Sequence, residues 1–220
     1  MTETTAVKRI PRGSVGVEDL ITQAMLIADR EGLAALTMRR LAADLGVGVT
    51  TLYGHVRHKD QLIELVVEAA VLELPVPEPS DGTWDERLER LFTDLRELLW
   101  RHPSVLYAER RPLTGPGALR ALDATLAMLR PTGLSADEAV AATSTLLSYT
   151  FGSALFRLSH SGEGRPDYER TIRGVSPEQL PQIAHYAPAL LERGAAAEFA
   201  AGLRLIIDGL VRQAAEKRSS

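Results

Sequence analysis

TMRRLAADLGVGVTTLYGHVRHK, residues Thr37 to Lys59, holds two short helical patterns separated by a glycine-containing turn. Thr37 has the side-chain oxygen that caps a helix start, Leu41 and Leu45 fall on one face, and Gly46 suits the left-handed residue that ends the helix. Val49 opens the second pattern three residues later. This is a helix-turn-helix, whose second helix presents its first turn to base edges in the major groove while flanking basic side chains hold phosphates. Val49 and Thr50 carry methyls that fit thymine, Thr51 and Tyr53 carry hydroxyls for phosphate or base, and His55 carries a ring donor. Arg39, Arg57 and Lys59 supply positive charge.

The composition bounds what surrounds this stretch. A chain of 220 residues with 45% hydrophobic content supports a sizeable core, as one larger domain or two modest ones. A formal charge of −4 argues against a protein that coats nucleic acid indiscriminately, because non-specific affinity comes mainly from basic charge. The basic residues are local instead: Arg39, Arg40, Arg57 and Lys59 face only Asp44 within the stretch, and Lys8, Arg9 and Arg12 precede it. The absence of cysteine removes disulfides, zinc-thiolate sites and cysteine nucleophiles. No run of consecutive apolar residues approaches membrane-spanning length and no signal-peptide core stands at the start, so the expectation is a cytoplasmic protein without a membrane partner.

Outward from the stretch, the chain reads as all α. Residues 1–16 form a basic arm, flexible or in contact with the minor groove. Ile21, Ala24, Met25 and Ala28 give a first helix over Val17 to Glu31, ended by Gly32. A fourth helix starts near Lys59 and runs to about Leu72, and its free N–H groups beside Lys59 favour phosphate. The prolines and glycine of LPVPEPSDG, Leu74 to Gly82, break the pattern, which places a DNA-binding domain over residues 17–73 and a second domain over 83–216. There, Thr83 with Glu86 and Ser135 with Glu138 read as capping boxes. They open helices that reach about Trp100 and Leu158, with a leucine-spaced helix ending at Pro131 between them. The second is apolar or small almost all round and so demands burial on more than one side. Ser159 to Gly174 reads as a mobile loop. A short helix follows near Pro177 to His185, then a final one to Ala215 with Phe199, Leu203, Ile206, Ile207 and Leu210 inward.

These residues carry a resemblance. LAADLGVGVTTLYGHVRHKDQL resembles the N-terminal domain of the TetR family of bacterial repressors, through Leu45-Gly46-Val47, Leu52-Tyr53 and Lys59-Asp60-Gln61-Leu62. ERRPLTG, RPTGLSADEAVAATSTLLSYTFGSAL and LLERGAAAEFAAGLRLIIDGL are similar to the tetracycline-repressor branch. The resemblance implies a homodimer that binds a palindromic operator and is released by a small molecule. It puts a four-helix dimer bundle on roughly 135–158 and 195–215, where Gly152, Ser153, Gly202 and Gly209 would let helices approach closely. The family's DNA contacts fall on Arg39, Val49, Thr50, Thr51, Tyr53, His55 and Lys59, with the last five before Lys59 placed on the recognition helix. At Val49 and Gly54 the tetracycline repressors carry a polar and an aromatic residue, so base readout differs here. A glycine within a helix costs about 1 kcal/mol against alanine, which points to close approach of DNA or to drift.

The effector side departs further from that branch. The histidine and the acid that serve a magnesium–drug complex fall on Tyr107 and Phe156, a drug-contacting glutamine falls on Asp123, and a second histidine falls near Pro75. Hard-cation chelation needs oxygen ligands around an open site, so neither magnesium nor tetracycline is expected, and no cofactor or metal is assigned. His55 and His58, one turn apart, are not taken as a metal pair. In their place stands an apolar set, Leu91, Leu95, Leu98, Tyr107, Leu122, Leu126, Phe151 and Phe156, with His102, Arg111 and Asp123 as polar anchors. Such a lining suits a small, largely apolar organic molecule. The fourth helix, reaching from Lys59 to the prolines, is the expected carrier of its signal. A helical enzyme finds no nucleophile–base pair, phosphate loop or metal motif to work with. A ligand-independent regulator or activator would share the same DNA-binding half.

Overall fold

The computed structural model describes residues 15–107, 114–160, 164–192 and 194–219. Every regular element among them is helical: α1 (Val17–Glu31), α2 (Met38–Leu45), α3 (Val49–Tyr53), α4 (Lys59–Leu72), α5 (Trp84–Arg101), α6 (Pro103–Tyr107), α7 (Pro116–Leu129), α8 (Ala136–His160), α9 (Gly164–Arg173), α10 (Pro181–Glu192) and α11 (Ala195–Ser219). Short 3-10 turns occupy Pro79–Asp81 and Arg130–Thr132. The chain separates into two compact units, Met1–Glu73 with Arg101–Leu119, and Leu74–Trp100 with Arg120–Ser220.

In the first unit the local signals act as their chemistry dictates. The Thr37 hydroxyl accepts from the Arg40 N–H at 3.1 Å, and Gly46 stops α2 in the left-handed region at φ 69°. His58 caps α4, its Nδ1 accepting from the Gln61 N–H at 3.1 Å, while the Gln61 side chain accepts from the Arg57 N–H at 2.7 Å. Leu20, Ala24, Ile27, Leu36, Leu41, Leu52, Val56, Leu62 and Val66 close one apolar core from α1, α2, α3 and α4. The recognition helix differs from the sequence reading at its end. It stops at Tyr53, so Gly54 lies just past it with helix-like φ −72°, and His55 follows in the turn. Gly54 is therefore a terminal residue, where the interior glycine penalty does not apply.

The second unit is built on α5, which buries one broad face carrying Leu88, Leu91, Phe92, Leu95, Arg96, Leu98 and Leu99. The Arg96 guanidinium lies 3.5 Å above the Trp100 ring and 4.6 Å from that of Phe199 on α11. α8 packs on α11, and the Tyr149 ring stacks on Phe199 with its hydroxyl donating to the Phe199 carbonyl at 3.0 Å. A Cβ on Gly202 would overlap that hydroxyl, so glycine is required there, whereas Gly152 and Gly209 adjoin open space. At the far end of the pair, Lys217 reaches Glu138 at 2.8 Å, and Ser135 and Glu138 form the expected reciprocal cap.

Two expectations for this half change. Ser159 to Gly174 is not a loop in its described part: α8 continues to His160 and α9 covers Gly164–Arg173. Asp167 in the first turn pairs with Arg170 at 2.8 Å and takes the Thr171 hydroxyl on its carbonyl, and α9 packs on α10 with no long apolar stripe to read. The next helix begins at Pro181 rather than near Pro177 and runs through Pro188 to Glu192, because proline fits a first helical turn. The stretch Ala136–Phe156, with mean hydropathy 1.2, is long and apolar enough to cross a membrane by composition, although no unbroken apolar run of that length exists. Its Thr143, Thr145 and Thr150 hydroxyls return to carbonyls of their own helix, which lets them sit on an apolar surface at no hydrogen-bonding cost.

Candidate DNA-reading face and effector site

The reading face is made rigid from beneath. Leu52 and Val56 are fully withdrawn from solvent, and this anchors α3 so that Thr50, Thr51 and Tyr53 stand outward, Tyr53 half exposed at 52%. Val49 is half-buried, and Arg39, His55 and Arg57 are exposed. The structure thus places Arg39, Thr50, Thr51, Tyr53 and His55 on one unit's surface. Lys59 differs: its Nζ donates to the Leu33 carbonyl at 3.3 Å, so a phosphate would have to draw it away. Arg40 is also spoken for. It donates to Glu31 and to Asp44 at 2.9 Å each, and those carboxylates raise its pKa above the usual guanidinium value, Glu31 first.

The candidate effector residues divide between the units. Leu91, Leu95 and Leu98 are buried, Leu126 and Phe151 are half-buried, Asp123 is exposed and Phe156 is 65% exposed, all in the second unit. His102 belongs to the first unit, where its Nδ1 meets Asp29 at 2.7 Å and its Nε2 meets Glu73 at 3.3 Å. Both ring nitrogens are occupied by protein, which leaves none to orient a ligand. Arg111 and the Tyr107 side chain lie outside the described residues, as does the arm to Ser14. Among the described residues no three His, Asp or Glu converge as metal ligands.

Sequence reading missed two contacts that join distant segments of the first unit. Glu68 on α4 accepts from the Gly117 N–H at 2.6 Å, capping α7, and a Cβ on Gly115 would collide with that carboxylate. Around His102, the Ser104 hydroxyl donates to Asp29 at 3.1 Å and Arg101 to Glu73 at 2.8 Å. The partners are separated by up to 75 residues, and no local periodicity signals such pairs. Only the glycines ahead of α7 hinted at close packing.

A short recognition helix on a sealed three-helix support, followed by a wholly helical second unit, has well-defined relatives. DrrR1, a transcriptional repressor of Streptomyces coeruleorubidus, is 34% identical over 154 residues, covering 68% of this chain and 56% of its own length. The class A tetracycline repressor of transposon 1721 from Escherichia coli is 32% identical over 202 residues, covering 88% of this chain and 89% of its own. The chain therefore spans little more than half the length of some curated relatives, DrrR1 among them, and nearly all of others. Among solved structures, apo ActR from Streptomyces coelicolor superimposes with a TM-score of 0.81 at 29% identity, over 96% of this chain and 99% of that one. Residues 20–66 match the model for bacterial regulatory proteins of the tetR family and residues 76–214 that for the tetracyclin repressor-like C-terminal domain. With its reading head and its helical second half each matched in order, the chain belongs to the TetR family.

Proposed function

We propose that the protein is an effector-responsive transcriptional repressor that binds a palindromic operator as a homodimer and lets go when a small, largely apolar organic molecule binds its second unit. It works in the bacterial cytoplasm and catalyses no reaction. The carrying observation is the outward row Thr50, Thr51 and Tyr53 on a helix locked by buried Leu52. Side chains held this way keep the geometry that base recognition needs, and Arg39 and Lys59 supply backbone contacts once Lys59 leaves the Leu33 carbonyl. Val49 and His55 complete the contact set.

Two further features support the reading. On α8, Val140, Leu147 and Leu155 are exposed apolar residues at one helical spacing with Phe151, and Leu205 on α11 is 72% exposed. Such a stripe suits a second copy of the chain. The effector site is drawn from Leu91, Leu95, Leu98, Leu126, Phe151 and Phe156, with Asp123 as a polar group. The ActR relative was solved with actinorhodin and with (S)-DNPA, which makes those two compounds the first probes to use.

The test is selection of a bound duplex from a randomised library, followed by actinorhodin titration of the complex. The expected result is a two-fold symmetric site whose half-sites lie about 34 Å apart, one turn of B-DNA or a multiple. Failure to enrich any sequence would overturn operator recognition. An enriched complex that neither actinorhodin nor (S)-DNPA dissociates would favour the ligand-independent regulator instead.

A further inference from the structure

We infer that His58 is a further DNA contact: its neutral ring gives one nitrogen to the start of α4 and donates from the other to a backbone phosphate. The inference rests on the operator-binding reading above and adds to it a residue outside the contact set drawn from the resemblance.

The ring's tautomer follows from what it caps. His58 is the N-cap of α4, and its Nδ1 lies 3.1 Å from the Gln61 backbone nitrogen. A backbone N–H can only donate, so Nδ1 is the acceptor and carries no proton. A neutral imidazole has one donor and one acceptor nitrogen, which puts the proton on Nε2. The two nitrogens diverge across the ring. With Nδ1 turned to the helix, Nε2 is directed away from it, on a residue that is exposed. Among the described residues the cap is the one hydrogen bond the ring makes. The ring is also held still, because the Gln61 side chain accepts from the Arg57 N–H at 2.7 Å while the Gln61 N–H holds Nδ1. A donor already fixed in direction loses little freedom when it meets its acceptor.

The other donors at this turn are already engaged. The Lys59 ammonium is on the Leu33 carbonyl at 3.3 Å, and the Gln61 and Leu62 N–H groups are taken by the His58 ring and the His58 carbonyl. Asp60 adds a carboxylate to the first turn of α4, so the bare helix start is a poor place for an anion. What it offers instead is one directed ring donor. His58 stands beyond the recognition helix, between the exposed Arg57 and Lys59, and the positive charge on either side favours an anionic acceptor over a base edge. His58 thus holds the start of α4 with one nitrogen and fixes the head on the duplex with the other, without itself carrying charge.

The measurement is the affinity of full-length His58→Ser for the library-selected duplex and for a random one, over a range of salt. Serine keeps an oxygen to cap α4 but has nothing in the place of Nε2. Affinity should fall on both duplexes alike, by about tenfold per half-site, the worth of a hydrogen bond to a charged group. The slope of log affinity on log salt should stay as in wild type, because a neutral donor displaces no counterion. A purely structural cap would leave the affinity of His58→Ser untouched, and that result overturns the inference. So does a loss confined to the selected duplex, which would make His58 a base contact, or a slope lowered by about one unit, which would make its ring a cation. Nitrogen NMR of the wild-type His58 ring covers the case in which His58→Ser folds poorly. On adding the selected duplex, the Nε2 proton should become slow to exchange with water; a proton that exchanges equally fast with and without the duplex overturns the inference. Failure of any duplex to be selected would instead strike the operator-binding reading.

Discussion

The two units satisfy their apolar residues in different ways. In the first, the apolar residues close on one another within one chain: Leu20, Leu36, Leu41, Leu52 and Leu62 have no exposure at all. In the second, helices of equal or greater apolar content leave Val140, Leu147, Leu155, Phe156 and Leu205 in the open. A reading head must present fixed polar groups to DNA, so its core has to be complete before it binds. On the proposed reading, a second unit that takes a ligand and a second copy of the chain would keep apolar surface in reserve.

Core truncation in the first unit is the hardest blow to this contrast. Leu52→Ala should cost about 2–5 kcal/mol and abolish operator binding, as for other buried leucines; chemical denaturation followed by tryptophan-independent circular dichroism would measure it. Leu205→Glu should cost the single chain under about 0.5 kcal/mol, as at most exposed positions, yet sedimentation should show monomers. A Leu205 variant that unfolds while remaining dimeric would erase the distinction between the units. Gly46→Ala sits lower on the scale. Nothing lies within 4 Å of the added Cβ, so the cost is that of φ 69° alone, about 1–2 kcal/mol.

How much could be read in advance follows the same division. The ends of α1, α2 and α4 were legible because each is written locally, in Gly32, Thr37, Gly46 and the apolar spacing between them. Thr50, Thr51 and Tyr53 were named for their methyls and hydroxyls and by resemblance, and it is the structure that adds the reason they face outward, burial of Leu52 on the opposite face of a five-residue helix. α9 was illegible because its largely polar residues leave no long apolar stripe, although it packs on α10. His102 was illegible for a different reason: a histidine after a helix of leucines looks like a pocket anchor until Asp29, 73 residues earlier, is placed beside it.

Smaller effects sharpen the comparison at its edges. Lys59→Ala should weaken specific and random duplexes alike and reduce the slope of log affinity on log salt by about one unit; Tyr53→Ala should act mainly on the selected operator. Equal losses for Tyr53→Ala on both duplexes would move it to the backbone-contacting set. The smallest effect belongs to Glu138. Lys217 first, then the Ser135 cap, holds its pKa down to about 2 from 4.5. Because the folded value is the lower one, its contribution to stability is present above about pH 4.5 and is lost as pH falls toward 2. Glu138→Gln should flatten a small part of the acid-unfolding profile, and only a small part, since the pair is solvent-exposed.

The pairing of Arg40 with Glu31 and Asp44 bears on how the protein finds its site in a cell. An unpaired arginine beside the recognition helix would strengthen contact with every stretch of chromosome, operator or not. Such stretches outnumber the operator by about a million or more. An arginine already neutralised by two carboxylates adds nothing to that background. The chain as a whole is acidic. On the proposed operator-binding reading, time lost on irrelevant DNA would thereby be kept short, and fewer base contacts would be needed to make the operator stand out from the genome.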